Sequence, residues 1–330
     1  QLGMAGTFGA VPFQVPRGTG NGMAANLPLA VGSTDVRTPY VQTMSAMVQA
    51  DMGAGFLFDV GYMGTRGRQL AYQRALAAMP GTGMTGFPGS TLGRSAQTSE
   101  LANGANSNYN ALQANLTKRM SSGLAMSASY TWSRTMDTGS SLLNPFDRNA
   151  NYAPSDFDRT HMLAISHMWR LPFWENRGQG MFTQILGGWD LNGVLQWASG
   201  TPYTVTTSPL FCNCPGVSAV PANYVGQSSL ASETSFNTGL FETPSSGFGS
   251  LGRNAIRGPE MFNYNLSLLR NFAIREDVKM ELRGEAYNLT NTTNLTNPVS
   301  ALGQPGYGTS TQLFNGMGGR LFQVAARFLW

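Results

Sequence analysis

Charged residues are scarce in this sequence of 330 residues, since Asp, Glu, Lys and Arg together make up 12% of it. Disordered chains are rich in charge and poor in aromatic residues, whereas aromatic residues account for 11% of this sequence. The apolar residues form no run of about 18, the length that predicts a transmembrane helix. An all-β protein remains, either a soluble one or a membrane barrel whose apolar residues alternate with polar ones.

Histidine and cysteine are also scarce, with two of each. Because the sequence has no H-E-x-x-H, G-x-S-x-G or C-x-x-C motif and little general-base capacity, we predict no metal site and no enzyme activity. Residues 247–252 match G-x-G-x-x-G, but Pro and Ser precede them where a nucleotide-binding strand is required, so we predict no cofactor. The 21 basic residues are scattered, so no nucleic-acid partner is predicted despite a net charge of +4.

The two cysteines, Cys212 and Cys214, are separated by one residue in a stretch rich in Pro and Gly. They form either a local disulfide in an oxidising compartment or an inert pair of thiols in a loop. The sequence leaves both alternatives open.

Apolar and polar residues alternate along most of the chain from about residue 40 onward. In residues 124–133, for example, Leu, Met, Ala, Tyr and Trp occupy the even positions, while Ala, Ser and Thr occupy the odd ones. A period of two is typical of β-strands, and most of these segments have the 9–11 residues or more that a strand needs to cross a bilayer at a tilt. The predicted strands are about 40–51, 55–66, 107–120, 123–136, 157–172, 188–204, 260–274, 278–290 and 319–330.

The connections between these segments alternate between tight turns and long loops, such as 67–106 and 205–259. Outer-membrane barrels are connected in this way, with short turns in the periplasm and long loops outside the cell. We therefore predict an antiparallel, up-and-down transmembrane β-barrel, present only in its C-terminal part, with residues 1–39 as the remnant of an extracellular loop. Such a set of strands is expected to form an open, curved sheet.

Aromatic residues lie near the ends of the predicted strands, while the middle positions of the apolar side are mostly Ala, Val, Leu and Met. This distribution favours a surface that contacts lipid, because aromatic side chains collect at the two membrane interfaces. A soluble sheet would instead concentrate its aromatics in a core. The predicted interfacial girdle consists of Tyr62, Trp132, Trp169, Trp189, Trp197, Tyr264, Phe272 and Phe328.

Most charged residues of the strands fall on the polar side, and Lys118 and Arg270 are exceptions beside tight turns, where a long side chain can reach the interface. Asp156 and Asp158 flank Phe157, and an exposed strand start is the preferred interpretation over a Ca²⁺ site. The best functional candidate is a charged row that would face the lumen and a plug, or else form an ion-paired wall with a purely structural role. Its residues are Lys279, Glu281, Arg283, Glu285 and Arg327.

Several segments from about residue 39 onward resemble the Oar-like branch of TonB-dependent receptors, which carries a carboxypeptidase-regulatory-like domain. They are Ser-Asn-Tyr-Asn-Ala-Leu-Gln at 107–113, Ala-Ser-Tyr-Thr-Trp-Ser at 128–133 with Asp137, Ser-Asp-Phe-Asp-Arg at 155–159, Leu-Pro-Phe at 171–173, Gly-Gly-Trp at 187–189, Ser-Gly-Thr-Pro-Tyr at 199–203, Gly-Arg-Asn at 252–254, Arg-Gly-Pro at 257–259 and Glu-Ala-Tyr-Asn-Leu at 285–289.

The resemblance implies a barrel of about 22 strands with a plugged lumen, and a short box that engages TonB. Neither the plug nor the box is visible in this sequence. The aromatics Phe328 and Trp330 resemble the C-terminal signal that the barrel-assembly machinery recognises. The implied partners are outer-membrane lipid, that machinery, the TonB complex through the missing N-terminal parts, and an unknown bulky ligand.

The leading hypothesis is therefore transport of a bulky ligand across the bacterial outer membrane by a TonB-dependent receptor, with the long loops binding the ligand first. A passive outer-membrane pore or a surface adhesin built on the same barrel is the first alternative. A secreted all-β binding protein is the second.

Overall fold

The computed structural model describes residues 29–34, 37–87, 98–139, 143–173, 186–226, 237–275 and 277–330. Its framework is one sheet of 11 strands, of which nine are long and antiparallel. Each long strand pairs with the next one along the chain, as predicted for an up-and-down arrangement. The long strands are β1 (Tyr40–Gly53), β2 (Phe56–Leu76), β3 (Thr98–Ser121), β4 (Leu124–Asp137), β5 (His161–Arg170), β6 (Trp189–Ala198), β7 (Met261–Ala273), β8 (Lys279–Tyr287) and β9 (Leu321–Leu329).

The pairing register places the apolar residues of neighbouring strands on the same side of the sheet. Leu112 on β3, for example, lies opposite Tyr62 on β2 and Trp132 on β4. Because side chains alternate between the two sides of a strand, residues paired in this way share a side. The sheet therefore has one continuous apolar face and one continuous polar face, as the sequence predicts.

The two ends of the sheet differ. At the turn end, tight turns such as Gly53–Gly55 and Ser121–Gly123 join the strands, and Ala54 and Ser122 have positive φ angles of 50°. At the loop end, the connections are long. Within the described residues the edge strands β1 and β9 pair with β2 and β8 and not with each other, so the sheet is open, as expected. No helix in the described part of the chain has the length and apolar character to span a membrane.

The strands β2 and β3 are much longer than predicted, and nearly half of the expected loop 67–106 belongs to them. The alternation is interrupted at Gln69, which has a φ angle of 56° and lies where the pairing shifts between Gly67 and Leu70, and a second shift follows between Leu70 and Ala71. An extra residue in one strand reverses the parity of everything after it. The period-two signal of residues 67–76 therefore does not continue that of residues 56–66.

The other predicted strand bounds also need correction. The predicted strands 157–172, 188–204, 260–274, 278–290 and 319–330 are each shorter in the structure, while the strand predicted at 40–51 runs to Gly53. Within the expected loop remnant 1–39, Leu29–Gly32 forms a short strand that runs parallel to Thr98–Leu101 at the outer end of β3.

The connection between β6 and β7 is a folded unit rather than a plain loop. Short antiparallel ladders join Thr206–Thr207 to Val220–Pro221, Asn223–Tyr224 to Phe241–Glu242, and Ile256–Arg257 to Pro202–Tyr203. They enclose a small core whose buried members are Tyr203, Val205, Ala222, Phe241, Leu251 and Ile256. A hydrophobic core thus lies at the loop end and not between two layers of the sheet.

Candidate functional site

The polar face forms one wall of a large cavity. The cavity has a volume of about 750 Å³ and is lined by hydroxyl, amide and apolar side chains of β3 to β8. The polar-face residues at the cavity include Thr117, Ser127, Ser166, Asn192, Gln196, Asn265 and Ser267.

The predicted charged row lies on this polar face, along β8 and β9. Glu281 is paired in register with Arg327, and Glu285 is paired with Gln323. The Arg283 Nε lies 3.6 Å from a carboxylate oxygen of Glu285, and these side chains are 42% and 16% exposed. The row is thus a partly hydrated set of mixed charges, in which Lys279 occupies the turn end.

The predicted girdle residues all lie on the apolar face, in two groups. Tyr62 and Trp132 share a row across β2 to β4, and Trp197 and Tyr264 lie near the loop end. The turn-end group consists of Trp169, Trp189, Phe272 and Phe328. Their position at two levels of one face is what an interfacial girdle requires, and the girdle itself stays a prediction.

No second layer of the described chain covers the apolar face. Trp132 is 55% exposed and Val324 is 77% exposed, while Leu195 is half-buried within the sheet itself. Apolar side chains of this size in a soluble sheet would pack against a core. Trp330, which follows β9, is 93% exposed.

The polar groups on the apolar face are accommodated by neighbours. The ring of His167 lies over Gly193, and its Nε2 is 3.0 Å from the hydroxyl oxygen of Tyr264. Lys118 bends to the turn, where its Nζ donates to the hydroxyl of Ser121 at 2.6 Å. The guanidinium carbon of Arg270 lies 4.6 Å from the centre of the Phe272 ring.

A buried hydrogen-bond network joins the connections at the loop end, and sequence reasoning missed it. Arg253 is its centre, with a side chain that is 0% exposed. Its Nη2 donates to a carboxylate oxygen of Asp137 at 2.8 Å, and its Nε donates to the carbonyl oxygen of Asn151 at 2.9 Å. Ser155 donates from its hydroxyl to the other carboxylate oxygen of Asp137. We call these residues, with those of the next paragraph, the loop network.

A second pair extends the loop network toward β5. Arg257 donates to the carboxylate of Asp158, which is buried, and to the carbonyl oxygen of Gly200. Asn254 donates to Asp156 at 2.6 Å. The interpretation of Asp156 and Asp158 as an exposed strand start is therefore wrong for Asp158. The segments 155–159, 199–203, 252–254 and 257–259, which are far apart in sequence, meet here.

The structure joins Cys212 and Cys214 through a disulfide. Both residues are 1% exposed, because the segment around them packs against the connection between β2 and β3. The backbone N–H of Gly81 donates to the carbonyl oxygen of Cys212 at 2.9 Å, and that of Gly83 donates to Asn213 at 3.0 Å. The disulfide segment thus holds two long connections together.

Two tyrosines have raised pKa values: Tyr203 in the small core at the loop end, and Tyr307, which packs against that core. Burial raises the pKa of Tyr307 to about 12. Burial, and secondarily the charge that Tyr307 would carry, raise the pKa of Tyr203 further. Both phenols therefore stay protonated at neutral pH. The described residues include no group of three or more His, Cys, Asp or Glu side chains that could hold a metal ion.

A family model for the outer membrane beta barrel domain matches residues 3–323. The chain belongs to this family. The open antiparallel sheet is accordingly part of a transmembrane β-barrel wall in the bacterial outer membrane, with its tight turns in the periplasm and its long connections outside. This assignment removes the alternative of a secreted soluble protein. No curated protein matches the chain.

Three solved structures that are similar to this outer membrane β-barrel domain are distant from it in sequence. The outer membrane transporter YddB from Escherichia coli is 10% identical with a TM-score of 0.48, over 92% of this chain and 34% of that one. The FrpB iron transporter from Neisseria meningitidis is 10% identical with a TM-score of 0.43, over 91% and 33%. The ferric-catecholate import receptor Fiu from E. coli K12 is 8% identical with a TM-score of 0.44, over 96% and 32%. The chain thus spans about a third of the length of these proteins.

Proposed function

We propose that this domain is the C-terminal barrel portion of a TonB-dependent receptor of the Oar-like type, which moves a bulky ligand across the outer membrane. The observation that carries the proposal is the convergence of the resembling sequence segments in one buried network. Arg253 comes from the connection between β6 and β7, whereas Asp137 ends β4 and Asp158 lies in the connection between β4 and β5. The domain has no catalytic role in this proposal.

The loop network supports a role in ligand capture because it makes the outer connections rigid. A buried arginine is costly unless its charge and donors are satisfied, and Arg253 is satisfied only when the connection between β6 and β7 packs against the end of β4 and the connection that follows it. Binding surfaces are commonly loops held by a rigid scaffold. The assembled connections form such a surface.

The charged row supports a second element of the proposal, a plug that contacts the polar face. Exposed ion pairs such as Arg283 with Glu285 contribute about 0–1 kcal/mol each, so contacts built on them break at little cost. A plug that must move during transport requires contacts of this kind. In this proposal Lys279, Glu281 and Arg327 face the plug.

The experiment uses the full-length protein that contains this chain, purified in detergent and inserted into planar bilayers. We expect no steady ion conductance, because the plug closes the barrel, together with binding of the periplasmic domain of TonB. A stable open channel without TonB binding would establish the passive pore instead. Absence of both conductance and TonB binding would favour a surface adhesin.

A matched pair of variants tests the contribution of the charged row. Replacing Arg283 and Glu281 with Gln removes charges from the polar face. In bilayers exposed to increasing urea, which releases the plug, we expect this variant to begin conducting ions at a lower urea concentration than the wild type. Lys118→Gln removes a charge from the other face and serves as the control. Equal thresholds in the two variants would contradict contact between the row and a plug.

A further inference from the structure

A second cavity lies at the loop end, where β5, β6 and β7 meet the connection between β8 and β9. Its volume is about 410 Å³. Arg159, two residues before β5, is one wall, and Thr201 and Pro259 come from the connections of β6 and β7. The connection between β8 and β9 contributes Thr296, Asn297, Gln312 and Phe314 to the lining.

The guanidinium of Arg159 is held in place but keeps most of its donors. Its carbon lies 5.2 Å from the centre of the Phe314 ring, and Nη1 donates to the carbonyl oxygen of Ser199 at 2.7 Å. Arginine has five N–H donors. Within the described residues this is the one hydrogen bond that the Arg159 side chain makes, so its other N–H groups are available to a ligand in the cavity.

The charge of Arg159 also lacks a carboxylate. Arg253 and Arg257 are paired with Asp137 and Asp158. Among the described residues, no Asp or Glu oxygen lies within 4 Å of Arg159. The nearby Glu260 accepts a hydrogen bond from the indole of Trp197 instead. Burial lowers the pKa of Arg159, because a desolvated cation is disfavoured.

The connection between β8 and β9 supplies further polar groups to the cavity. The backbone N–H of Thr296 donates to the carbonyl oxygen of Gln312 at 2.9 Å, which fixes the two segments relative to each other. The side-chain amide of Gln312 makes no hydrogen bond within the described part of the chain. A donor amide and an uncompensated guanidinium therefore line one cavity.

We propose that this cavity binds an oxyanion, a phosphate or carboxylate group, through the guanidinium of Arg159 and the amide of Gln312. A planar guanidinium with free donors matches the two oxygens of such a group. The group belongs either to a soluble ligand or to the headgroup of a phosphorylated lipid, since the cavity adjoins the membrane-spanning strands. The inference does not depend on the transport proposal.

The test measures binding to the purified full-length protein by isothermal titration calorimetry. The probes are inorganic phosphate and acetate, followed by phosphatidylcholine vesicles with and without phosphatidic acid. Saturable binding of phosphate or acetate identifies a soluble ligand, and binding only to vesicles that contain phosphatidic acid identifies a lipid headgroup. We expect Arg159→Met to weaken the observed binding at least tenfold, and Arg159→Lys to weaken it less because the charge remains.

Arg320→Met is the matched control. Arg320 also lies over a phenylalanine ring, at 5.3 Å from Phe322, and also donates to one backbone carbonyl oxygen, but it does not line the cavity. Its replacement should leave binding unchanged. If Arg159→Met disturbs folding, Gln312→Leu decides, with an expected loss of a few-fold. Absence of saturable binding for every probe, or unchanged binding in Arg159→Met and Gln312→Leu, would overturn the proposal.

Discussion

Replacing Arg253 with Met should release the outer connections while leaving the barrel wall intact. The side chain is fully buried and donates to Asp137 and to the carbonyl oxygens of Asn151 and Ala153. Removing one partner of a buried ion pair costs about 3–5 kcal/mol, because the other charge stays buried without compensation. Here the remaining charge is the carboxylate of Asp137, which is 9% exposed.

Hydrogen exchange measured by mass spectrometry separates this local effect from global unfolding. A loss of about 3–5 kcal/mol corresponds to local opening that is roughly 10² to several times 10³-fold more frequent. Peptides that contain Ser155 and Leu251 should therefore exchange faster, since both backbone N–H groups donate within the loop end. Peptides from β7 and β8 should exchange as in the wild type.

The control is Glu100→Gln, which breaks the ion pair with Arg74 on the long hairpin. The side chain of Arg74 is 40% exposed, so the expected cost is about 0–1 kcal/mol. The double variant with Asp137→Asn should recover part of the loss. If Arg253→Met accelerates exchange no more than Glu100→Gln does, the loop network does not hold the connections together.

Four further predictions concern other parts of the molecule. Ala128→Lys on the apolar face should lower the free energy of unfolding, measured in vesicles, by about 2–4 kcal/mol, whereas Ser129→Lys on the polar face should lower it little. Equal losses would refute the assignment of the apolar face to lipid. Gly193→Ala places a Cβ 2.4 Å from the His167 Nε2 and should destabilise the barrel by about 1–3 kcal/mol, while Gly284→Ala, with nothing within 4 Å, should not. Cys212→Ser should speed exchange of the peptide containing Gly81 and not of peptides from β8; unchanged exchange would show that the disulfide does not hold the contact. Because the pKa of Tyr307 is raised from about 10 to about 12, its contribution to stability is complete below pH 10 and is lost as pH rises toward 12. Alkaline unfolding of the wild type compared with Tyr307→Phe should show this loss.

The faces and order of the strands were predictable because period-two alternation is a local property of the sequence. The alternation within each strand shows which of its sides is apolar. The tight turns at Gly53–Gly55 and Ser121–Gly123 show which strands pair with each other. The extension of β2 and β3 was missed because the pairing shifts twice, once with an extra residue in β2 and once with an extra residue in β3. Each extra residue interrupts the alternation of its own strand.

The loop network could not be predicted from the alternation. Arg253 and Asp137 are 116 positions apart, one in an irregular segment and the other at the end of β4, and a single charge at such a position is normally exposed to solvent. The sequence contained one indication, since several of the segments that resemble a known family supply the network. Their chemistry becomes interpretable only when the connections are folded against each other.

The hairpin of β2 and β3 is longer than crossing the bilayer requires. The 21 residues of β2 span about 70 Å along the strand, more than twice what crossing the bilayer requires. Its outer portion therefore extends beyond the lipid, and the disulfide segment packs against the connection that follows it. Residues 77–87 and 209–217 are thereby held away from the membrane, on the outside of the cell.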